Sequence, residues 1–361
     1  MLKAESPYQL LDGAVGDLEA LVRVVADRRR IAVDPDIAIE KRLEAYEDII
    51  DSEVGDTTLV RARNIEREMG FRQLFLKFEG GNPTGTQKDR IAFAQAMDAL
   101  RRGFDTLTVA TCGNYGVAIA MAASLAGLRA LVFIPHAYHT RRLEAIRELG
   151  AEIRPVAGDY EAAVLVSRRW AADNDCYDAN PGGDNTSLQL LSYGQIAYEI
   201  YDELRDAPAA VAAPVSNGTT LAGLYRGFLS LYRRGKTSRL PRIIAGSSFR
   251  KNPIVHSFRR GLATCEDLKP ESIRETAVNE PLINWHAIDG DLSLAAIRAT
   301  GGWAADASDK NMRRFARLIS EKEGLQALPA STAGLIALID RHLRDPLPGD
   351  RYVVLLTGRK S

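Results

Sequence analysis

Gly80-Gly81-Asn82-Pro83-Thr84-Gly85-Thr86-Gln87-Lys88-Asp89-Arg90 is a glycine-rich loop that delivers one lysine. The run before it, Leu74-Phe75-Leu76-Lys77-Phe78, alternates like a strand, and the run after it, Ile91 to Leu100, reads as a helix. The stretch therefore puts Lys88 in the first turn of a helix that follows a strand. Partial positive charge at a helix N-terminus disfavours an ammonium there and predicts a lowered pKa. An amine that is neutral near neutral pH is what Schiff-base chemistry requires. The plain alternative is a solvated lysine after a turn, and the rest of the chain decides between the two.

Upstream, residues 1–50 read as a helical extension. One helix starts at Asp17, and a second covers Ile37 to Ile50 after Pro35. Arg28-Arg29-Arg30 closes the first as a favourable cluster of charge at a helix C-terminus. This arm is expected to pack on the body or on a neighbouring subunit.

Downstream, strands and helices alternate. Strands are expected at Leu107–Thr111, Ala130–Pro135, Glu152–Val156 and Cys176–Asp178, with helices at Val117–Leu125, Arg141–Leu149 and Tyr160–Ala172 between them. Ser192 to Leu204 reads as a helix, Ala209 to Val215 as a buried strand, and Leu221 to Tyr232 as a helix. Ile243–Gly246 and Arg351–Leu356 are further strands; 247–289 is less regular; helices follow at Asp291–Thr300, Ser308–Glu323 and from Pro329 to Leu343. Short connections in such an alternation mean parallel sheets covered by helices on both faces. The expected fold class is α/β, with two doubly wound, parallel-sheet domains and a ligand cleft between them. The expected boundaries are 94–184 for a small domain and 51–93 with 185–361 for a large one.

The 361 residues suffice for two domains with substantial cores. Lys+Arg and Asp+Glu are both 47, so a sequence-independent nucleic-acid binder is not expected. Cys112, Cys176 and Cys265 are odd in number and far apart, which suits reduced thiols in a cytoplasmic setting rather than a disulfide frame or zinc site. No apolar stretch predicts a secretory leader or a membrane span.

Three more loops stand where open α/β sheets bind ligands, at strand C-terminal ends. Thr111-Cys112-Gly113-Asn114-Tyr115-Gly116 offers backbone amides at a helix N-terminus for a carboxylate, and Asn114 adds a side-chain amide. A tight turn needing small residues explains that loop equally well. Ser216-Asn217-Gly218-Thr219-Thr220 runs from a strand into a helix and reads as a phosphate cradle. It holds no lysine or arginine, which suits a tightly held monophosphate better than a nucleoside triphosphate. Helix caps use the same residues. Thr357, after the last strand, offers a hydroxyl to a neutral ring nitrogen.

Competing motifs fail. Gly80 to Gly85 mimics a P-loop, but its lysine comes too late and no Gly-Lys-Ser/Thr appears. No G-x-G-x-x-G opens a βα unit. His136 and His139 have no third metal ligand nearby in sequence, and Cys112 has no histidine close by, so a surface loop and buried packing are the simpler roles.

From about Val54 to Thr357 the chain resembles the pyridoxal-phosphate enzymes of the tryptophan-synthase-β fold type, and within them the threonine synthases. Asn82 to Arg90 is similar to that family's N-P-T-G-S-F-K-D-R box, so the resemblance implies that Lys88 forms the internal aldimine with pyridoxal 5'-phosphate. By the same resemblance Thr111 to Gly116 holds the substrate carboxylate. Asn114 contacts the cofactor's phenolic oxygen, Ser216 to Thr220 holds its phosphate, and Thr357 faces the pyridine nitrogen. Gly324 to Ala333 also resembles a family box. Three positions depart from the pattern. Gln87 replaces the usual Phe, Leu328 stands where many members have Glu, and Leu191 occupies the place of the arginine that binds a substrate phosphate. Arg250, Lys251 or His256 are candidate substitutes for that cation.

The resemblance implies a lyase or transferase on an L-amino acid, with Lys88 as general base at the α-carbon and a homodimer as the assembly. Threonine synthase chemistry, a β/γ-replacement of specialised biosynthesis and a threonine/serine dehydratase all fit. A non-catalytic sensor of the cofactor or an amino acid, and a phosphate-nucleotide binder, are the readings from other classes.

Overall fold

The computed structural model describes residues 18–111, 113–136 and 142–360. The chain forms two compact units, 1–54 with 95–179 and 55–94 with 180–361. The N-terminal helices, expected as an extension packed on the body or on a neighbouring subunit, fall in the same unit as the smaller sheet. The segment before residue 18, Cys112 and His139 lie outside the described residues.

Helices α1 (Leu18–Val33) and α2 (Ile39–Glu53) open the first unit. Helix α1 continues to Val33 with Arg30 in its last turn, and Arg28, Arg29 and Arg30 pair with Asp48, Glu53 and Asp27. The second unit begins with β1 (Leu59–Arg61), α3 (Arg63–Met69) and β2 (Gln73–Phe78). Helix α4 (Lys88–Arg101) follows the glycine-rich loop, with Lys88 as its first residue. The first unit then takes β3 (Thr106–Ala110), α5 (Asn114–Ala126), β4 (Arg129–Pro135), α6 (Arg142–Glu148), β5 (Glu152–Val156), α7 (Tyr160–Asp173) and β6 (Tyr177–Asp178).

These four strands form a parallel sheet in the order β5-β4-β3-β6. Helix α5 buries Ala118, Ala120, Ala122, Ala123 and Ala126, small side chains that allow close packing. The N-terminal arm docks on this helix: Tyr46 is fully buried and donates to the Ala122 carbonyl at 3.0 Å, and Arg42 donates to that of Ala126 at 3.0 Å.

The second unit resumes with α8 (Thr186–Leu204), which starts earlier than the sequence reading had it, then β7 (Ala210–Pro214), α9 (Thr219–Arg233) and β8 (Arg242–Ser248). Next come α10 (Pro253–Arg259), α11 (Gly290–Ala299), β9 (Trp303–Ala307), α12 (Asp309–Glu323), α13 (Ala333–Arg344) and β10 (Arg351–Leu356). Its sheet runs β1-β2-β10-β7-β8-β9, parallel except for the β1–β2 pair. The core includes Leu74, Leu76, Ile244, Leu335, Ile336 and Val354.

The topology fixes the geography of the site. Strands β2, β10 and β7 are sheet neighbours, so their C-terminal exits lie side by side. Those exits carry the Lys88 loop, Thr357 and the Ser216 to Thr220 loop.

Candidate active site

In the second unit the Lys88 loop is pinned to the exit of β10. The Gln87 N–H donates to the Thr357 carbonyl at 3.0 Å, and the Arg359 N–H donates to that of Gly85 at 2.9 Å. The Gln87 side chain then crosses to the loop after β7, donating to Thr220 Oγ1 at 3.1 Å. Its Oε1 is buried without a hydrogen-bond partner among the described residues. Ser331 Oγ lies 3.1 Å from Thr357 Oγ1. The Lys88 nitrogen sits 5.9 Å from the centre of the buried Tyr193 ring.

The loop after β7 is propped from behind. Asn252 donates to the Ser216 carbonyl at 3.0 Å, and Asn284 donates to Asn217 Oδ1 at 2.9 Å. Ser293 donates to the Gly218 carbonyl at 2.7 Å. Gly218 has φ +99, the left-handed region that suits glycine, and an ideal Cβ there would lie 2.7 Å from the Asp289 carbonyl oxygen. The N–H groups of Ser216 to Thr220 find no acceptor among the described residues. Such a row of orphan donors at the start of α9 is a cradle for an anion.

Burial lowers the Lys88 amine to about 8, and the charge of Asp289 opposes that shift. The expected direction is right, but desolvation leads, rather than the helix terminus invoked from the sequence. Asp289 is a site residue the sequence reading missed. It is 4% exposed, its carboxylate accepts from Thr219 Oγ1, and its N–H donates to the Asn217 carbonyl at 2.9 Å. Asp289 therefore touches the cradle and acts electrostatically on Lys88. It falls in the stretch read as irregular, so no periodicity pointed to it.

The first unit carries the other loop, at the exit of β3 and the start of α5. Thr111 Oγ1 accepts from the Gly113 N–H at 3.2 Å, and Asn114 is half-buried at the helix start. Tyr115 is turned to structure: it is buried, and its hydroxyl donates to the Ala179 carbonyl at 2.7 Å and contacts Gln95. Gly116 packs tightly, since an ideal Cβ would lie 2.7 Å from Thr111 Cγ2. A cation covers this loop. An ideal Cβ on Gly113 would lie 2.5 Å from a terminal nitrogen of Arg142.

Of the cations considered as phosphate partners, Arg250 and His256 line a cavity of about 700 Å³ with Arg259, Arg260 and Lys269 in the second unit. Lys251 is committed to the Arg274 carbonyl at 2.6 Å. Leu191 is a half-exposed residue of α8.

Within one unit, then, a half-buried amine of lowered pKa stands with an amide cradle that lacks a protein acceptor. That donor set fits an aldehyde carrying a monophosphate. Residues 50–358 match the protein family described as "Pyridoxal-phosphate dependent enzyme". The chain is 28% identical to threonine synthase of Methanocaldococcus jannaschii over 309 residues, 84% of this chain and 74% of that protein. It is 29% identical to threonine synthase of Synechocystis sp. over 313 residues, 84% and 76% of the two chains. Among solved structures, the processed form of threonine deaminase isoform 2 from Solanum lycopersicum superposes with a TM-score of 0.73 at 15% identity, covering 96% of this chain and 86% of that one. Maize serine racemase gives 0.71 at 18% identity, covering 88% and 94%.

Proposed function

Because the chain belongs to the family of pyridoxal-phosphate dependent enzymes, we propose that it is a threonine synthase-like lyase or transferase that eliminates or replaces a group on an L-amino acid. One observation carries the reading: Lys88 and the Thr219 end of the amide cradle share a single neighbour, Asp289.

The roles follow from the chemistry of the side chains. Ser216 to Thr220 hold the phosphate of pyridoxal 5'-phosphate through their amides. Lys88, partly neutral at neutral pH, is the amine that would bond the cofactor's aldehyde and, when free, the base that would take a proton from the substrate's α-carbon. Thr357, beside Ser331, hydrogen-bonds the ring nitrogen without supplying a carboxylic proton. Thr111 to Gly116, with Asn114, hold the substrate carboxylate. The cofactor supplies an electron sink for the α-carbanion. The same reading includes a cytosolic homodimer, for which light scattering on a sizing column is the check.

The purified protein is expected to be yellow, and borohydride reduction followed by peptide mapping is expected to find the phosphopyridoxyl group on Lys88. A screen of α-proton exchange in deuterated water, over amino acids and their O-phospho, O-acetyl and O-succinyl derivatives, then identifies the substrate. Colour with no exchange on any of them would turn the reading to the sensor. Colourless protein that binds nucleotides would end both.

Two quantitative results are expected. The amine is half neutral at about pH 8, so apoprotein should capture cofactor about tenfold faster per pH unit below that point and level off above it. Stopped-flow absorbance reads this; a flat profile from pH 6 upward would contradict a titrating Lys88. The second concerns Arg142, the guanidinium over Gly113. Charge-assisted hydrogen bonds are strong, so Arg142→Met should raise KM for a substrate with an anionic side group about tenfold. An uncharged amino acid should be affected far less, and equal effects on both would remove Arg142 from substrate recognition.

A further inference from the structure

The phosphate cradle contains a carboxylate. Asp289 is 4% exposed, accepts from the side chain of the first residue of α9, Thr219, and is tied by its backbone to Asn217. Its carbonyl oxygen stands where a Cβ on Gly218 would have to go. Asp289 therefore lies against Gly218 and Thr219, two residues of the cradle. We propose that Asp289 shares a proton with the phosphate of the bound cofactor, so that loading the site draws one proton from water. This rests on the functional reading above.

The charge balance motivates it. A carboxylate and a phosphate dianion together carry three negative charges. Among the described residues, the charged group that faces Asp289 is the Lys88 ammonium. The start of α9 holds no acidic or basic side chain and contributes the partial charge of its amides. On the other side, Asp291 of α11 is turned to the Cys265 N–H at 2.6 Å. The Cys265 thiol beside Gly290 is held neutral by burial, which raises it to about 11. The Lys88 nitrogen, bonded to the cofactor in the loaded site, carries at most one positive charge; with a helix terminus it leaves net negative charge in a buried site, where adjacent anions cannot both remain fully ionised. Burial already raises the Asp289 carboxyl before any phosphate arrives. The proton comes from bulk water as the cofactor enters. It bridges one carboxylate oxygen and one phosphate oxygen, and no bond between heavy atoms changes.

The test is phosphorus NMR of the loaded protein, from about pH 6 to about pH 9. In the wild-type protein the phosphate should titrate about one pH unit or more above free cofactor. In Asp289→Asn the phosphate should be a dianion across the range. Thr219→Val removes the hydroxyl that donates to Asp289 but keeps the carboxylate, so its phosphate should still titrate above free cofactor; a titration that falls to that of free cofactor in this variant too would assign the effect to the support of the loop and overturn the proposal. A wild-type phosphate that titrates as in free cofactor would overturn the proposal even if Asp289→Asn fails to fold. Identical titrations in wild type and Asp289→Asn would overturn it as well. A protein with no bound phosphorus signal would instead overturn the functional reading beneath it.

Discussion

Lys88→Ala is expected to lower α-proton exchange and turnover by about 10³-fold or more, because on the proposed reading one substitution removes both the covalent anchor and the base. Binding should survive in weakened form, since the orphan amides of Ser216 to Thr220 do not depend on the lysine. The variant should therefore bind cofactor reversibly, with nothing fixed by borohydride and with the cofactor lost on gel filtration. Added small amines should restore part of the exchange by entering the space the side chain leaves. Lys88→Arg separates charge from chemistry: it keeps a cation near Asp289 but cannot lose its proton in the working range, and it should be as inactive as the alanine variant. Residual exchange in either variant within tenfold of wild type would place the base elsewhere.

Lys88 was legible because strand, glycine loop and helix occur in one unbroken stretch, and the topology has only to hold that stretch. The loop after β7 and Thr357 were legible for the same reason, each being the direct continuation of a buried strand. What escaped depends on residues distant in sequence. Asp289 becomes part of the site only when its segment folds over Asn217 and Gly218. Strand β9, Trp-Ala-Ala-Asp-Ala, has neither β-branched residues nor clear alternation; it is a strand because it pairs with β8 at the sheet edge. Helix α10 did announce itself. Asn252 caps it by accepting from the N–H groups of Ile254 and Val255, and Pro253 opens it, a pairing visible in the sequence but passed over as irregular. The charged residues behind the lysine loop were the hardest to see, because a charge in sequence is taken by default as solvated.

Those charges carry the second large effect. Arg90 is buried between two carboxylates and grips each with two hydrogen bonds: Glu79 at 2.6 and 2.9 Å, and Glu199 at 2.6 and 2.9 Å. Lys77, also buried, pairs with Glu199 and with the Thr57 carbonyl. Thr57 and Asn82 donate to Glu79 at 2.7 and 3.0 Å. The four charges cancel, and every oxygen of the two carboxylates is used, the condition under which a buried ion network holds. Arg90→Met is close in length and leaves the buried Glu79 and the largely buried Glu199 facing one lysine. Breaking a buried pair in this way costs about 3–5 kcal/mol, and that is the expected loss in urea unfolding, with the slope unchanged. Arg90→Lys restores the charge without the double fork and should recover only part of it.

The pH dependence supplies an independent check. The Arg90 and Lys77 charges and hydrogen bonds hold Glu199 down to about 2 against burial, below its ordinary 4.5. A folded-state pKa below the unfolded one contributes stability that is present above pH 4.5 and is lost as pH falls from there toward 2. Wild type should therefore lose more stability than Arg90→Met over that window, and the gap between them should narrow on acidification. A gap that stays constant with pH would mean that Arg90 acts through its packing alone. The network also spans residues 77 to 90, so its loss should loosen the loop that sets Lys88. Cofactor should then dissociate faster from Arg90→Met even where that variant is still fully folded.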